Sequence, residues 1–329
     1  MRLQAAEPVK RGLRAWRRWF APPEVPQEVT FALEDIDELS RVYREGGGAA
    51  SPGWEPYKHA HLVLPSWFEH GLDPWSPAYA QQQHRLWQAV AGVDRDYAPA
   101  LDEAEFGWDA VDAVRLPGFY QRRDPLAVQV ASDHVLATGM LLRHSQLKPG
   151  DWALEYGAGF GQTALALARL GVQVDTVDIS DAFCRFVQQQ ADFFKVRLQP
   201  HQGTFGHVPR PGQRYHLIWF YESFHHCVDF QRVVAGLGDL LEPGGRIILG
   251  GEPIVEQEYA AVPYPWGVRL HSEVAVVMRH TRWFELGFSE SFLYELFRRQ
   301  GFEGSRIDCP PSLLGRLYVF ERQRARGES

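Results

Sequence analysis

From about residue 151 onward, short apolar blocks alternate with stretches whose apolar residues recur at helical spacing. The blocks at 152–156, 172–178, 195–199, 215–221 and 246–250 read as strands. The stretches at 161–170, from Ser180 through Phe194, and at 230–241 read as helices. Alternation of this kind predicts an α/β fold built on a doubly wound, mostly parallel sheet with right-handed crossovers. A last helix at 290–300 stops at Gly301, and two blocks at 304–308 and 316–321 follow with no helix between them. They predict a hairpin, and so one antiparallel strand.

Upstream the pattern is different. Helical periodicity covers 28–45, where Gly46-Gly47-Gly48 stops it, then 77–90 behind Pro77, then 124–144 behind Asp124-Pro125. The stretch 51–76 is rich in Pro, Gly, Trp and His, as an ordered irregular loop would be. The expected division is a basic leader at 1–27, a mostly helical, aromatic-rich cap at 28–123, and the sheet domain at 124–329.

The first strand runs into Leu154-Glu155-Tyr156-Gly157-Ala158-Gly159-Phe160-Gly161, and a helix-forming run from Thr163 to Leu170 follows. Alternate glycines let the chain turn sharply out of a strand and bring its backbone against a ligand, with a helix N-terminus facing it. The spacing is not GxGxxG, since residue 162 is Gln, and the Lys and Ser/Thr of a phosphate-binding P-loop are absent. Asp178 ends the second strand, where a carboxylate accepts ribose hydroxyls. Glu155 adds negative charge beside the loop, which suits a ligand with cationic groups better than a pyrophosphate. An NAD-dependent oxidoreductase is disfavoured on these grounds.

The order Glu155-x-Gly157-x-Gly159-x-Gly161, then Asp178, then Leu241-Glu242-Pro243-Gly244-Gly245 before a strand resembles the class I S-adenosylmethionine-dependent methyltransferases over about residues 125–322. The resemblance implies a seven-stranded Rossmann-like sheet with its last strand reversed, and S-adenosylmethionine as cofactor. It places Gly157 and Gly159 against the methionine part, Asp178 on the ribose and Ile179 on the adenine. Glu155 would reach the amino group through water. Tyr156, Ala158, Gly161 and Tyr221 complete the implied cofactor set, with Gly203, Thr204 and Phe205 after the third strand. The family often has Asp following that glycine; here Thr204 stands in its place.

The fourth strand ends in Tyr221-Glu222-Ser223-Phe224-His225-His226. Carboxyl ends of strands form the crevice of an open α/β sheet, and a hydroxyl acceptor needs a base there. Glu222, His225 and His226 are candidates, and Glu252 after the fifth strand is a further one. A metal held by Glu222, His225 and His226 is disfavoured because no third spaced ligand set is evident. The long segment 251–288 is expected to be an acceptor lid, with Tyr264, Trp266, Arg269 and His271 on the substrate; Arg269 and His271 would hold an acidic group. The alternative for Glu252, Arg269 and Glu273 is a structural ion-pair network. The expected reaction is methyl transfer to a small or medium-sized acceptor, most naturally a hydroxyl of a sugar, glycan or lipid precursor, or secondary metabolite. The alternatives are N- or C-methylation, or a non-catalytic scaffold that binds the cofactor.

The remaining composition bounds the partners. The 329 residues carry 34 Lys and Arg against 41 Asp and Glu, a net charge of −7, which argues against a nucleic-acid surface. Cys184, Cys227 and Cys309 are isolated, and no apolar run is long enough to span a bilayer, so a cytoplasmic protein is expected. Val9, Leu13, Trp16 and Phe20 fall on one face of a basic segment, which suggests peripheral membrane contact through residues 9–20. Seven of the eleven Trp, at 16, 19, 54, 67, 75, 87 and 108, lie in the leader and cap, where most are expected in its core and seam.

Overall fold

The computed structural model describes residues 29–49, 51–103 and 111–323; the basic leader with its 9–20 pattern, Trp16, Trp19 and Trp108 lie outside them. In the cap, β1 (Thr30–Phe31) pairs in parallel with β2 (His61–Leu62). Around them lie α1 (Ile36–Gly46), α2 (Pro77–Ala91) and the single turn α3 (Pro99–Asp102). Ser76 caps α2 through its side chain, and Pro77 fills the first helical position, where a missing N–H costs nothing. Gly47, in the left-handed conformation, ends α1 as the glycine run predicted.

The sheet domain begins with α4 (Ala127–His144). It continues through β3 (Trp152–Tyr156), α5 (Gln162–Arg169), β4 (Gln173–Asp178), α6 (Asp181–Phe194), β5 (Leu198–Gln202) and β6 (Tyr215–Tyr221). Next come α7 (Phe230–Leu240) and β7 (Leu241–Gly250). The third strand starts later than its apolar pattern suggested, because Lys195 closes α6 in a left-handed conformation and Val196-Arg197 still belong to the turn. After an excursion described below, α9 (Glu290–Arg298), β11 (Phe302–Ile307) and β12 (Leu317–Arg322) complete the chain.

Seven strands hydrogen-bond in the order β11-β12-β7-β6-β3-β4-β5. β3, β4, β5, β6 and β7 are parallel, and β12 runs antiparallel to both of its neighbours. The last strand is thus reversed, as the hairpin reading required. Side chains alternate between two cores. Leu154, Tyr156, Ile218 and Phe220 face one, with Val234 of α7 and Phe297 of α9. Ala153, Val174, Leu217 and Trp219 face the other, with Leu167 of α5 and Val187 of α6. Connections leave β3 toward β4 on one side and reach β6 on the other, so the strand order reverses between β3 and β6. In open α/β sheets the ligand crevice lies at the carboxyl ends beside such a reversal.

The segment 251–288 is not a loop. It holds β8 (Ile254–Val255), β9 (Trp266–Val268), α8 (Ser272–Thr281) and β10 (Leu286–Ser289), with a small sheet in the order β8-β10-β9. Its outer face packs on the cap. Trp87 stacks on Phe284 with centroids 5.7 Å apart, Val268 N–H donates to Gln83 Oε1 at 3.0 Å, and Trp266 Nε1–H donates to the Pro74 carbonyl at 2.8 Å. Leu62 N–H donates to the Leu270 carbonyl at 2.8 Å. The aromatic residues that suggested a ligand lid are instead the core joining this segment to the cap.

Candidate active site

A cavity of about 450 Å³ opens at the carboxyl ends of β3, β4 and β6. One end is walled by Gly157 and Gly159 of the loop after β3, Asp178 and Ile179 after β4, and Gly203, Thr204 and Phe205 after β5. Gly157 needs its glycine twice over. Its φ is +68°, and a Cβ there would lie 2.5 Å from Ser223 Cβ. Asp178 Oδ2 accepts from Gly159 N–H at 2.8 Å and its Oδ1 from Ser180 N–H at 2.9 Å, which fixes the carboxylate at the cavity wall.

Glu155 is placed differently from expectation. On β3 it points into the sheet's other core, where Trp219 Nε1–H donates to its Oε1 at 2.8 Å and its Oε2 has no hydrogen-bond partner. Burial pushes its carboxyl up to about 8, against the Trp219 hydrogen bond, so near pH 7 the group is mostly protonated. The negative charge expected beside the glycines is therefore not supplied by Glu155. Tyr156, Ala158, Gly161 and Tyr221 do not border the cavity either. Tyr156 is fully buried in the sheet core, and the Tyr221 hydroxyl lies 2.8 Å from His134 Nδ1.

The turn after β6 brings Glu222, Ser223 and His226 to the cavity, while His225 faces away from it. Glu222 has φ +50°, a conformation costing about 1–3 kcal/mol for a residue other than Gly. Burial and the nearby Glu252 push its carboxyl up to about 7, with the Tyr221 hydrogen bond opposing. His225 Nδ1–H donates to Glu252 Oε2 at 2.7 Å. Glu252 also accepts from the amides of Ser223, Phe224 and His225 at 2.9, 2.8 and 3.1 Å. Burial alone would raise this carboxyl; His225 and the two amides of Ser223 and Phe224 outweigh it and hold it below the usual range. Glu252 is thus the anchor of the turn, and it does not border the cavity.

His226 is held in one tautomer at the cavity wall. Its Nδ1 lies 3.0 Å from the Phe284 carbonyl oxygen, which can only accept, so Nδ1 carries the hydrogen and Nε2 the lone pair. Burial, then the neighbouring His225, lowers its pKa, so the ring is neutral near pH 7. The far wall beyond it comes from residues that sequence patterns did not single out: His84, Tyr97, Pro99 and Glu103 of the cap, and Trp283.

None of Tyr264, Trp266, Arg269 and His271 borders the cavity. Tyr264 and Trp266 are core residues. Arg269 is ion-paired with Glu285, and His271 Nε2 lies 2.6 Å from the Tyr259 hydroxyl. Arg269 therefore belongs to a buried network, with Glu285 rather than Glu252 or Glu273 as its partner. Glu285 also closes a compact group with His225 and His226, whose ligand-type atoms all lie within 4.8 Å. Each member is already engaged: His225 with Glu252, His226 with the Phe284 carbonyl, Glu285 with Arg269.

A doubly wound sheet with a glycine cradle, a fixed carboxylate at the second strand end and a histidine at the fourth defines a nucleotide-cofactor enzyme fold. Residues 153–245 match the family described as "Methyltransferase domain". That match, with this strand order and loop, supports a class I S-adenosylmethionine-dependent methyltransferase domain in the sheet region. The chain is 28% identical over 130 residues to the 27-O-demethylrifamycin SV methyltransferase of Amycolatopsis mediterranei, covering 39% of this chain and 45% of that one. It is 24% identical over 147 residues to the ubiquinone biosynthesis O-methyltransferase of Coxiella burnetii, covering 42% and 63%. It thus spans less than two thirds of the length of each. Among solved structures, the 1,6-didemethyltoxoflavin-N1-methyltransferase of Burkholderia thailandensis aligns with a TM-score of 0.46 and 19% identity, over 71% of this chain and 94% of that one. Among the described residues no helix is long and apolar enough to cross a membrane.

Proposed function

We propose that this protein transfers a methyl group from S-adenosylmethionine to a hydroxyl oxygen of a small molecule held in the cavity. The observation that carries the reading is His226: a neutral imidazole, its Nδ1–H tied to a carbonyl, in the same cavity as the glycine loop and Asp178. The cofactor-type wall fits the group. Gly157 and Gly159 leave room for its methionine part, the Asp178 carboxylate suits ribose hydroxyls, and Ile179, Thr204 and Phe205 offer an apolar slot with one hydroxyl for adenine. When bound, S-adenosylmethionine would supply an electrophilic methyl group on a sulfonium with a neutral thioether as leaving group.

The protein's own work is alignment and proton removal. His226 Nε2 accepts the hydroxyl proton, while the Phe284 carbonyl keeps the ring in the required tautomer and orientation. Two relatives of the domain are named for O-methyl transfer, which supports an oxygen acceptor. Glu222, pushed up to about 7, is a further proton-holding group in the cavity.

Purified protein with methyl-labelled cofactor should label a member of a panel of phenols, polyols and amines, or a component of a cell extract. His226→Gln should lower kcat by about 100-fold or more, the usual contribution of a general base, with S-adenosylhomocysteine affinity within about twofold. Unchanged kcat in His226→Gln, with a large loss in Glu222→Gln, would move the base to Glu222. No labelled product from any fraction would favour a scaffold that binds the cofactor.

A further inference from the structure

We propose that Glu103 is a positioning residue for His226: it holds a carboxylate against the Nδ1 edge and stabilises the imidazolium formed when Nε2 takes the acceptor's proton. The inference rests on the assignment of His226 as the base. Glu103 Oε2 lies 3.8 Å from His226 Nδ1, and the Glu103 side chain is 12% exposed. Its other oxygen is pinned: Oε1 accepts from the Tyr97 hydroxyl and, at 3.2 Å, from Phe284 N–H. Phe284 therefore fixes both partners, the carboxylate through its amide and the imidazole through its carbonyl.

Other groups facing His226 do not serve this end. The His225 ring lies 4.2 Å away, centroid to centroid, and a charge there would oppose a second one. Glu285 also favours a charge on His226, but it is ion-paired with Arg269, whose own charge opposes one there, and no described ion pair joins it to the Nδ1 edge that Glu103 faces. Trp283 presents an edge contact at 5.4 Å and carries no charge. Among the described ion pairs, His226 is the basic partner of Glu103. Burial pushes the Glu103 carboxyl above its ordinary value, with the His226 charge, the Tyr97 hydroxyl and the Phe284 amide opposing the rise.

The proton balance is simple. The acceptor's O–H proton moves to Nε2, Nδ1–H stays on the Phe284 carbonyl, and the ring's positive charge appears beside Glu103. The ring resets when Nε2 releases that proton to solvent. A carboxylate at this distance raises the basicity of Nε2 by making its conjugate acid more stable.

The test is an NMR titration of the full chain labelled with 13C and 15N at histidine, the His226 signal being assigned by its loss in His226→Gln. The expected native signature is a neutral ring protonated at Nδ1. In Glu103→Gln, which keeps an acceptor for Tyr97 and Phe284, the His226 pKa should fall by about 1 unit or more, the usual effect of removing a charge at this range. Glu103→Asp, the conservative variant, should recover part of the shift. In turnover the acid limb of kcat should move to lower pH and the plateau drop several-fold, with the KM for the acceptor within about twofold. An unchanged His226 pKa in a folded Glu103→Gln protein overturns the proposal, whatever the activity. A fully active His226→Gln overturns instead the base assignment on which it rests.

Discussion

Replacing Glu252 by Gln isolates the group that holds the β6 turn in shape. Its Oε1 accepts from Ser223 and Phe224 N–H, and its Oε2 accepts from His225 N–H and His225 Nδ1–H. A glutamine amide offers one acceptor face, so an NH2 group must confront two of these four donors. Each hydrogen bond to a charged group contributes roughly 1.5–3 kcal/mol net. The imidazole recovers one loss by moving its hydrogen to Nε2, toward Glu285 at 3.7 Å, but a backbone amide has no such freedom. The expected net destabilisation at pH 7 is therefore about 2–4 kcal/mol, short of the cost of an uncompensated buried charge. Urea unfolding followed by circular dichroism measures it. The pH dependence supplies a second check. The native pKa of Glu252 lies below its unfolded value, so its contribution is present above that unfolded value of 4.5 and is lost as pH falls through the native one. The gap between native protein and Glu252→Gln should hold from pH 6 to 8 and narrow as pH falls below 4.5. A variant within about 0.5 kcal/mol of the parent at pH 7, or a gap that widens as pH falls below 4.5, would refute the reasoning.

Two further outcomes follow from the cavity itself. Asp178→Asn should weaken S-adenosylhomocysteine binding about 10–100-fold by calorimetry, since it replaces a charge-assisted acceptor by a neutral one; unaltered affinity would mean that the carboxylate does not touch the ligand. Glu222 has the opposite linkage sign from Glu252. Burial and Glu252 push its native carboxyl up to about 7, so its contribution is present below the unfolded value of 4.5 and is lost as pH rises through about 7. Glu222→Gln should therefore gain melting temperature relative to the parent above pH 7 and lose that advantage below pH 5. A difference independent of pH would show that Glu222 titrates normally.

Local signals carried the cofactor half of this site, and tertiary packing decided the rest. The strands and the loop at 157–161 were legible because period-two apolar blocks and alternate glycines act over a few residues. Even there, parity along β3 held information that motif reading passed over. Glu155 lies one position from both Leu154 and Tyr156, so it must face the opposite core, and there it meets Trp219 across the β3–β6 register. The choice between His225 and His226 had no comparable local signal. Both sit in one short turn, and their roles divide because Glu252 claims the first Nδ1 and the Phe284 carbonyl the second. Glu103 and Tyr97 reach the site from the cap, and their sequence neighbourhood, an acidic run after Pro99, reads as an ordinary surface turn. The segment 251–288 misled for a related reason. Its aromatic density was a true sign of burial, chiefly against Trp87 and Gln83; of its aromatic residues Trp283 borders the cavity. The consequence is functional. The proposed cofactor cradle is written into short local motifs at three strand ends, whereas the environment of His226, the proposed base, depends on Phe284, which stacks on Trp87. A change at Trp87, which does not itself border the cavity, should therefore act on proton transfer before it acts on cofactor binding.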